Sequence, residues 1–414
     1  MAFLYLLLLS AGLLLQGPVL ANEKPNIFLW MVDDLSYRNF SFGGGPTPTR
    51  RLGKAAENGV SFAKAWSNAI CRPTRGILMT GEYATKTGWW GQSHPLPTNL
   101  GKDFGTFGNL AKSQGYRTLI VGKWQLEGRI AQHGFDHYCL WQKSDGVGAK
   151  KLREDYVELA NGTAFDPADR GGRVAQNRFW HPLVVRHLWP AQHEMLITTP
   201  DDFGPNLFAE CVRDFLAVNK TVPFFIYWAG VLAHQHWDTV LESQAWSAMP
   251  KVEGTKIFNV LGREAEGTGS LASNLDYADR IAGYLKKLIR REGYYNNTIF
   301  VFTSDNASHG FGKGSLKSER GVHVPLIVWG GLVKKRGEVA RLISLVDIYN
   351  TFSELMGAGI DSSRPNSYSW ADYWTGKSNK VVRRWMIGYR GEENSEGVIE
   401  PDFTVRNSRF IRDG

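Results

Sequence analysis

The segment Asn26–Val32, Asn-Ile-Phe-Leu-Trp-Met-Val, constrains this chain most. Its apolar residues follow one another without alternation, the pattern of a strand buried on both faces, so the sheet that holds it needs packed layers above and below. Five further runs repeat the theme: Val60–Ala65, Arg117–Val121, Phe224–Ala229, Thr298–Thr303 and Val324–Trp329. Helical segments separate them. One is expected from a Thr49 cap to Asn58-Gly59, and another from Phe107 to Gln114 ahead of Gly115. Asn206–Val218 and Leu345–Met356 continue the series. Leu271, Leu275, Ala278, Ile281, Leu285 and Leu288 recur at three- and four-residue spacings ahead of Gly293. Such alternation indicates an α/β fold.

At 414 residues, with 43% hydrophobic and 21% charged residues, the chain can bury a large core and does not have the composition of a disordered segment. Met1–Leu15 is apolar and uncharged, Gln16-Gly17-Pro18 interrupts it, and Val19-Leu20-Ala21 offers small residues for cleavage. Residues 1–21 therefore read as a leader peptide for export rather than an anchor, the run being short and broken by Pro18. An exported chain with only Cys71, Cys139 and Cys211 rests on its core, not on a disulfide framework. If Cys71 is used chemically, Cys139 and Cys211 remain as a pair or as two buried thiols. The net charge of +8 favours anionic partners. No nucleic-acid-binding motif accompanies it, which leaves sulfated or phosphorylated substrates. Residues 125–205 lack a sustained period and read as an irregular insertion on the substrate side.

Ile70–Gly81 carries the reactive side chains. Pro73 fixes one dihedral between Cys71 and Arg75, and Arg75–Thr80 is expected to form a short helix closed by Gly81. The thiol would then stand beside a helix N-terminus, which favours negative charge. Two strand ends supply Asp33 and Asp34, and Asp305 and Asn306. Carboxylates there are costly to bury without a cation, and the carboxyl ends of strands are where ligands bind in an open α/β sheet. Hard oxygen donors suit calcium or magnesium better than zinc.

With these residues in view, the chain resembles the type I sulfatases of the alkaline-phosphatase-like superfamily. Cys71-Arg72-Pro73-Thr74-Arg75 matches the family signature C-x-P-x-R, and Gly76–Gly81 continues it. Asn26–Asp34, Gly122-Lys123-Trp124, His133-Gly134-Phe135-Asp136, Pro223–His234, Asn297–Asn306 and Glu319–Pro325 extend the match in order. The resemblance implies a large mixed, mostly parallel sheet flanked by helices over residues 22–380, with 381–414 as the start of a small C-terminal sheet subdomain that stops short. It also implies that a maturation enzyme oxidises Cys71 to formylglycine, whose hydrate is the nucleophile, aided by a cation and by Arg75. The implied metal ligands are Asp33, Asp34, Asp305, Asn306 and the modified Cys71, around calcium, with magnesium as the alternative. Lys123 and His234 would hold the sulfate oxygens, and His234 or a nearby lysine would protonate the leaving alcohol. His236, which stands where the family often has proline, is a further candidate for substrate binding. The second active-site lysine is Lys313 or Lys317; a glycine-flanked loop tolerates the one-residue slip that Lys313 requires.

Three departures bear on turnover. Gln125 replaces the histidine that usually follows the lysine by two residues, and an amide cannot take a proton at neutral pH, so slow sulfate release or substitution by His309 is expected. Thr74 replaces a common serine. The C-terminal strands begin at Asp402 and would leave a sheet edge unpaired. Export, basic charge and 15 tryptophans favour removal of sulfate from a sulfated carbohydrate. A phosphonate or phosphodiester hydrolase and a non-catalytic sulfated-glycan binder are the alternatives. Asn39, Asn161, Asn219 and Asn296 head Asn-x-Ser/Thr triplets that could carry glycans in a eukaryotic source, whereas a glycan on Asn306 would block the metal site.

Overall fold

A computed structural model of the protein describes residues 24–91, 100–126, 129–141, 182, 184–188, 194–196, 202–218, 220–234, 271–308, 311–316, 318–380, 383–393 and 399–407. The leader, His236, His309 and Lys317 lie outside the described residues. One sheet contains β1 (Asn26–Val32), β2 (Val60–Trp66), β3 (Arg117–Lys123), β4 (His137–Trp141), β5 (Val184–His187), β6 (Glu194–Leu196), β7 (Phe224–Ala229), β8 (Thr298–Ser304), β9 (His323–Val324), β10 (Leu326–Gly330) and β11 (Gly337–Ser344). Its order is β11-β2-β10-β8-β1-β7-β3-β4-β5-β6, with β9 beside β2. Strands β8, β1, β7, β3 and β4 are parallel neighbours, as are β2 and β11. β10 runs antiparallel to both β8 and β2, so β2 points the same way as β1. The carboxyl ends of β1, β2, β3, β7 and β8 therefore share one edge.

The unbroken apolar run of β1 is used on both sides. Ile27, Leu29 and Met31 face one cluster, built with α2 (Cys71–Thr80), α3 (Phe107–Ser113) and α6 (Asp347–Leu355). Phe28, Trp30 and Val32 face the other, under α1 (Arg50–Glu57), α4 (Gly204–Ala217) and α5 (Leu271–Arg291). Successive strand side chains point to opposite faces, so a run without alternation fits only a sheet covered twice.

Three expectations are corrected. Val324–Trp329 is not one strand but β9 and β10, because Pro325 has no N–H to donate to the ladder. The stretch 125–205 is not wholly irregular: β4, β5 and β6 extend the sheet, and at five, four and three residues they are too short to show a period. Thr49 precedes α1, but its Oγ1 accepts the Ser41 N–H, 3.0 Å away, instead of a helix amide. The C-terminal strand β13 (Ile399–Asn407) pairs antiparallel with β12 (Trp385–Glu393) in a separate two-stranded sheet, and among the described residues its other edge is unpaired, as expected. On β12 the Tyr389 N–H donates to Asn68 Oδ1 at 3.2 Å and its hydroxyl accepts the Ala84 N–H at 2.9 Å. Cys139 of β4 and Cys211 of α4 form a disulfide. Among the described residues no helix is long and apolar enough to cross a membrane.

Candidate active site

Helix α2 begins at Cys71, one turn earlier than the sequence suggests. Pro73 falls in the first turn, where a missing N–H breaks no helical bond and the fixed φ is already helical. Cys71 and Arg75 are thus four residues apart on one helix face. Ahead of them, Thr74 Oγ1 accepts the Asn68 N–H at 3.0 Å and lies 3.0 Å from the Ile70 carbonyl, which fastens the lead-in to the helix. Threonine thereby supplies the hydroxyl that serine would.

The shared strand edge collects the predicted residues. Cys71 Sγ is 3.7 Å from Asp33 Oδ1 and 3.8 Å from Asp34 Oδ1. Lys123, delivered by β3, donates to Asp33 Oδ2 at 2.7 Å and stands 3.7 Å from the sulfur. Gly122 makes room for this: its φ is +97°, and a Cβ there would meet the Ala229 carbonyl at 2.0 Å. Arg75 donates to Asp305 Oδ2 at 2.8 Å and to the Lys123 carbonyl at 3.4 Å. Asp305 Oδ1 in turn accepts the N–H of Asp34, a residue held at φ +62°. Lys313 donates to Asp34 Oδ2 at 2.5 Å, and His234 Nε2 lies 3.7 Å from the same oxygen and 3.5 Å from Lys313 Nζ. Asn306 donates to Asp34 Oδ1 at 2.7 Å. Of the two candidate lysines, Lys313 reaches the cluster; Lys317 and His236 lie outside the described residues.

Each carboxylate has a basic partner, yet burial and crowding still shift the protonation of all three. Burial raises the Asp34 carboxyl, and the Asp33 charge beside it raises it further. Burial and Asp33 likewise push Asp305 up to about 6, although Arg75 and Lys123 pull the other way. Burial acts on Asp33 too, but Lys123, His234, Arg75 and Lys313 together hold it far below the usual carboxylate range. The Cys71 thiol is pushed well up by burial and by Asp305. It is therefore a poor thiolate nucleophile as it stands.

One ligand atom each from Asp33, Asp34, Cys71 and Asp305 lies within 4.8 Å of every other. Asn306 Oδ1 is buried and accepts no hydrogen bond. An orphaned buried acceptor beside mutually repelling carboxylates fits a hard divalent cation, which would satisfy the one and neutralise the others. Gln125 is half-buried: its carbonyl accepts the Arg72 Nε–H at 2.9 Å, while its buried Oε1 has no hydrogen-bond partner.

The sequence alone does not single out Tyr227, whose buried hydroxyl lies beside the Arg75 guanidinium. It sits within the apolar run of β7 among other aromatic residues, and nothing in that pattern distinguishes it. Ser304 is similar: its Oγ accepts the Leu35 N–H at 3.0 Å and so pins the chain just past the Asp33-Asp34 pair.

The Sulfatase family profile matches residues 25–358. Arylsulfatase A of Bos taurus is 29% identical over 435 aligned positions, covering 98% of this chain and 76% of that protein. N-acetylgalactosamine-6-sulfatase of Sus scrofa is 26% identical, over 87% of this chain and 67% of that protein. Among solved structures, Ps i-CgsB in complex with k-i-k-neocarrahexaose superposes with a TM-score of 0.65 at 21% identity, covering 93% of this chain and 82% of that one. A protein in complex with its substrate D-glucosamine-2-N,6-O-disulfate gives a TM-score of 0.65 at 17% identity, over 93% and 87%. These likenesses establish the alkaline-phosphatase-like sulfatase architecture. The profile match over most of the chain, set on a buried acidic cluster that meets a signature cysteine at one sheet edge, places the chain in the sulfatase family of sulfuric ester hydrolases.

Proposed function

We propose that this protein removes sulfate from a sulfated carbohydrate after export, with Cys71 matured to formylglycine and calcium held by Asp33, Asp34, Asp305, Asn306 and residue 71. The observation that carries the reading is the convergence of three buried carboxylates on Cys71, ringed by Arg75, Lys123, Lys313 and His234. A bound divalent cation supplies charge compensation for the carboxylates and Lewis acidity toward a sulfate oxygen, and the hydrated aldehyde at position 71 supplies the attacking oxygen.

The remaining roles belong to side chains already in position. Lys123 and His234 approach from either side of the Asp33-Asp34 pair and bind the anionic oxygens of the ester. Arg75 keeps Asp305 ionised and oriented despite its burial. Lys313, between Asp34 and His234, completes a relay from which His234 or Lys313 hands a proton to the departing alcohol oxygen. Gln125, in the place where the family usually has a histidine, cannot accept a proton, so sulfate release is the slow step.

Likeness to curated sulfatases of aryl, steroid and amino-sugar esters supports the reaction class, and the structural neighbours in complex with k-i-k-neocarrahexaose and with D-glucosamine-2-N,6-O-disulfate support a carbohydrate substrate. A phosphonate monoester hydrolase from Silicibacter pomeroyi is also a structural neighbour, with a TM-score of 0.57. Mass spectrometry of the Cys71 peptide from the native host tests the reading. The expected mass is that of the aldehyde; an intact cysteine would overturn the mechanism and favour a non-catalytic glycan binder. Faster release from a phosphate diester than from an aryl sulfate would favour the phosphonate-hydrolase alternative.

A further inference from the structure

The turn that carries Lys313 also presents an aromatic ring to solvent. Phe311 is 38% exposed and, with Ile360, is one of two large apolar side chains exposed among the described residues. It stands two residues before Lys313, so their Cα atoms are at most about 7 Å apart. The turn is firmly held. The N–H groups of Phe311 and Lys313 both donate to the Ser308 carbonyl, at 3.0 and 3.2 Å, and Gly314 N–H donates to Ala69 O at 2.8 Å. Arg390 Nη1 donates to the Gly314 carbonyl at 2.6 Å.

Gly312 explains what stands beside the ring. Its φ is +138°, and a Cβ there would meet the Arg320 carbonyl carbon and Cβ at 2.8 Å. Only glycine lets the turn lie directly on Arg320. That approach sets the exposed Arg320 guanidinium 5.9 Å from the Phe311 ring centroid, within cation–π range. An exposed aromatic ring held by a cation, on a turn with little freedom to move, is preorganised for contact rather than for packing.

We propose that Phe311 and Arg320 form a platform for the organic part of the ester: a sugar ring stacks on Phe311, and a second negative group on that ring, sulfate or carboxylate, pairs with Arg320. The inference rests on the hydrolase reading above, because the leaving alcohol departs on the side of Lys313 and His234. An apolar aryl or steroid body would use the ring but gain nothing from the guanidinium, whereas an anionic sugar uses both.

Calorimetric binding in a Cys71→Ala background, which leaves no hydroxyl or thiol at position 71 to attack the ester, tests this with inorganic sulfate, D-glucosamine 6-sulfate, D-glucosamine 2-N,6-O-disulfate and 4-nitrophenyl sulfate. Without further substitution, the disulfate should bind tightest and inorganic sulfate weakest. Phe311→Ala should weaken both sugars about tenfold and leave inorganic sulfate unchanged, and Arg320→Ala should weaken the disulfate alone. Both side chains are exposed, so neither change should lower the melting temperature. Three results would overturn the proposal: sugars that bind no better than inorganic sulfate, an equal effect of Phe311→Ala on all four probes, or an aryl ester that binds as tightly as the disulfate. The readout does not depend on turnover. If the binding pattern holds but the protein with native Cys71 hydrolyses no sulfate ester, the hydrolase reading fails and the platform stands.

Discussion

Two buried charged groups in this molecule are built in opposite ways. Asp347 and Arg383 pair through both carboxylate oxygens at 2.6 and 2.7 Å, with both side chains wholly buried. Asp347 also accepts the N–H groups of Ser344 and Tyr368, and Arg383 donates to the Trp385 and Asn366 carbonyls. Around Cys71, by contrast, three carboxylates crowd together and Asn306 Oδ1 and the Nε of Arg75 lack partners. The first group is a closed circuit that fastens the approach to β12 onto α6. The second is left open, with a buried acceptor on Asn306 and a buried donor on Arg75 that no protein group meets. A buried polar cluster whose bonds are complete holds a fold together, while one whose bonds are incomplete is organised for a ligand.

The contrast can be broken most severely at Asp34. Asp34→Asn should lower turnover on the order of 10^4-fold, while the melting temperature of the metal-free protein changes little, since relief of the repulsion from Asp33 offsets the lost ion pair with Lys313. A clear fall in melting temperature would mean that this carboxylate supports the fold after all. Asp347→Ala should do the reverse. By stranding the Arg383 charge it should cost about 3–5 kcal/mol in urea unfolding, with activity per folded molecule retained; a loss below about 1 kcal/mol would show that the pair is not the anchor described.

His323 gives a smaller and finer test. Burial holds its pKa down at about 4, with Arg38 acting in the same direction, although the hydrogen bond of Nε2 to the Ala63 carbonyl, 2.9 Å away, acts the other way. Its folded pKa is below the unfolded value, so the folded state binds fewer protons between the two. The stability it contributes is full above about pH 6.5 and is lost as pH falls toward 4, by at most about 3 kcal/mol. Unfolding measured across that range should steepen for the wild type and flatten for His323→Gln. Parallel slopes would remove His323 from the group of buried polar residues that matter to the fold.

The parts of the fold legible in the sequence were those with a single physical cause. Asn26–Val32 reads as a doubly covered strand because burial on both faces removes alternation, and the polar residues that end β1 and β8 read as a site because charge is not buried without a purpose. The start of α2 was misplaced because Pro73 breaks a helix interior but suits a first turn, and position within the helix is what separates the two cases. β5 and β6 escaped notice since three or four residues carry no period. Lys313 could be preferred over Lys317 only through loop tolerance, yet its contact with Asp34 depends on how the turn lies against Ala69 and Arg320, which spacing does not encode. Among the possible glycan acceptors, Asn39 is buried, with its Oδ1 accepting from Ser36 N and Ser308 Oγ, whereas Asn296 is exposed. No triplet motif distinguishes them.

The bridge between Cys139 and Cys211 spans 72 positions of sequence. In the chain-entropy description, closing a loop of that length removes about 4 kcal/mol of freedom from the unfolded chain. The bridge also gives the intervening chain two fixed feet, one on β4 and one on α4. A backbone cut between those feet would leave β4 and α4 covalently joined, so the sheet edge beside β3 and the helix that covers it would stay together after the chain is nicked.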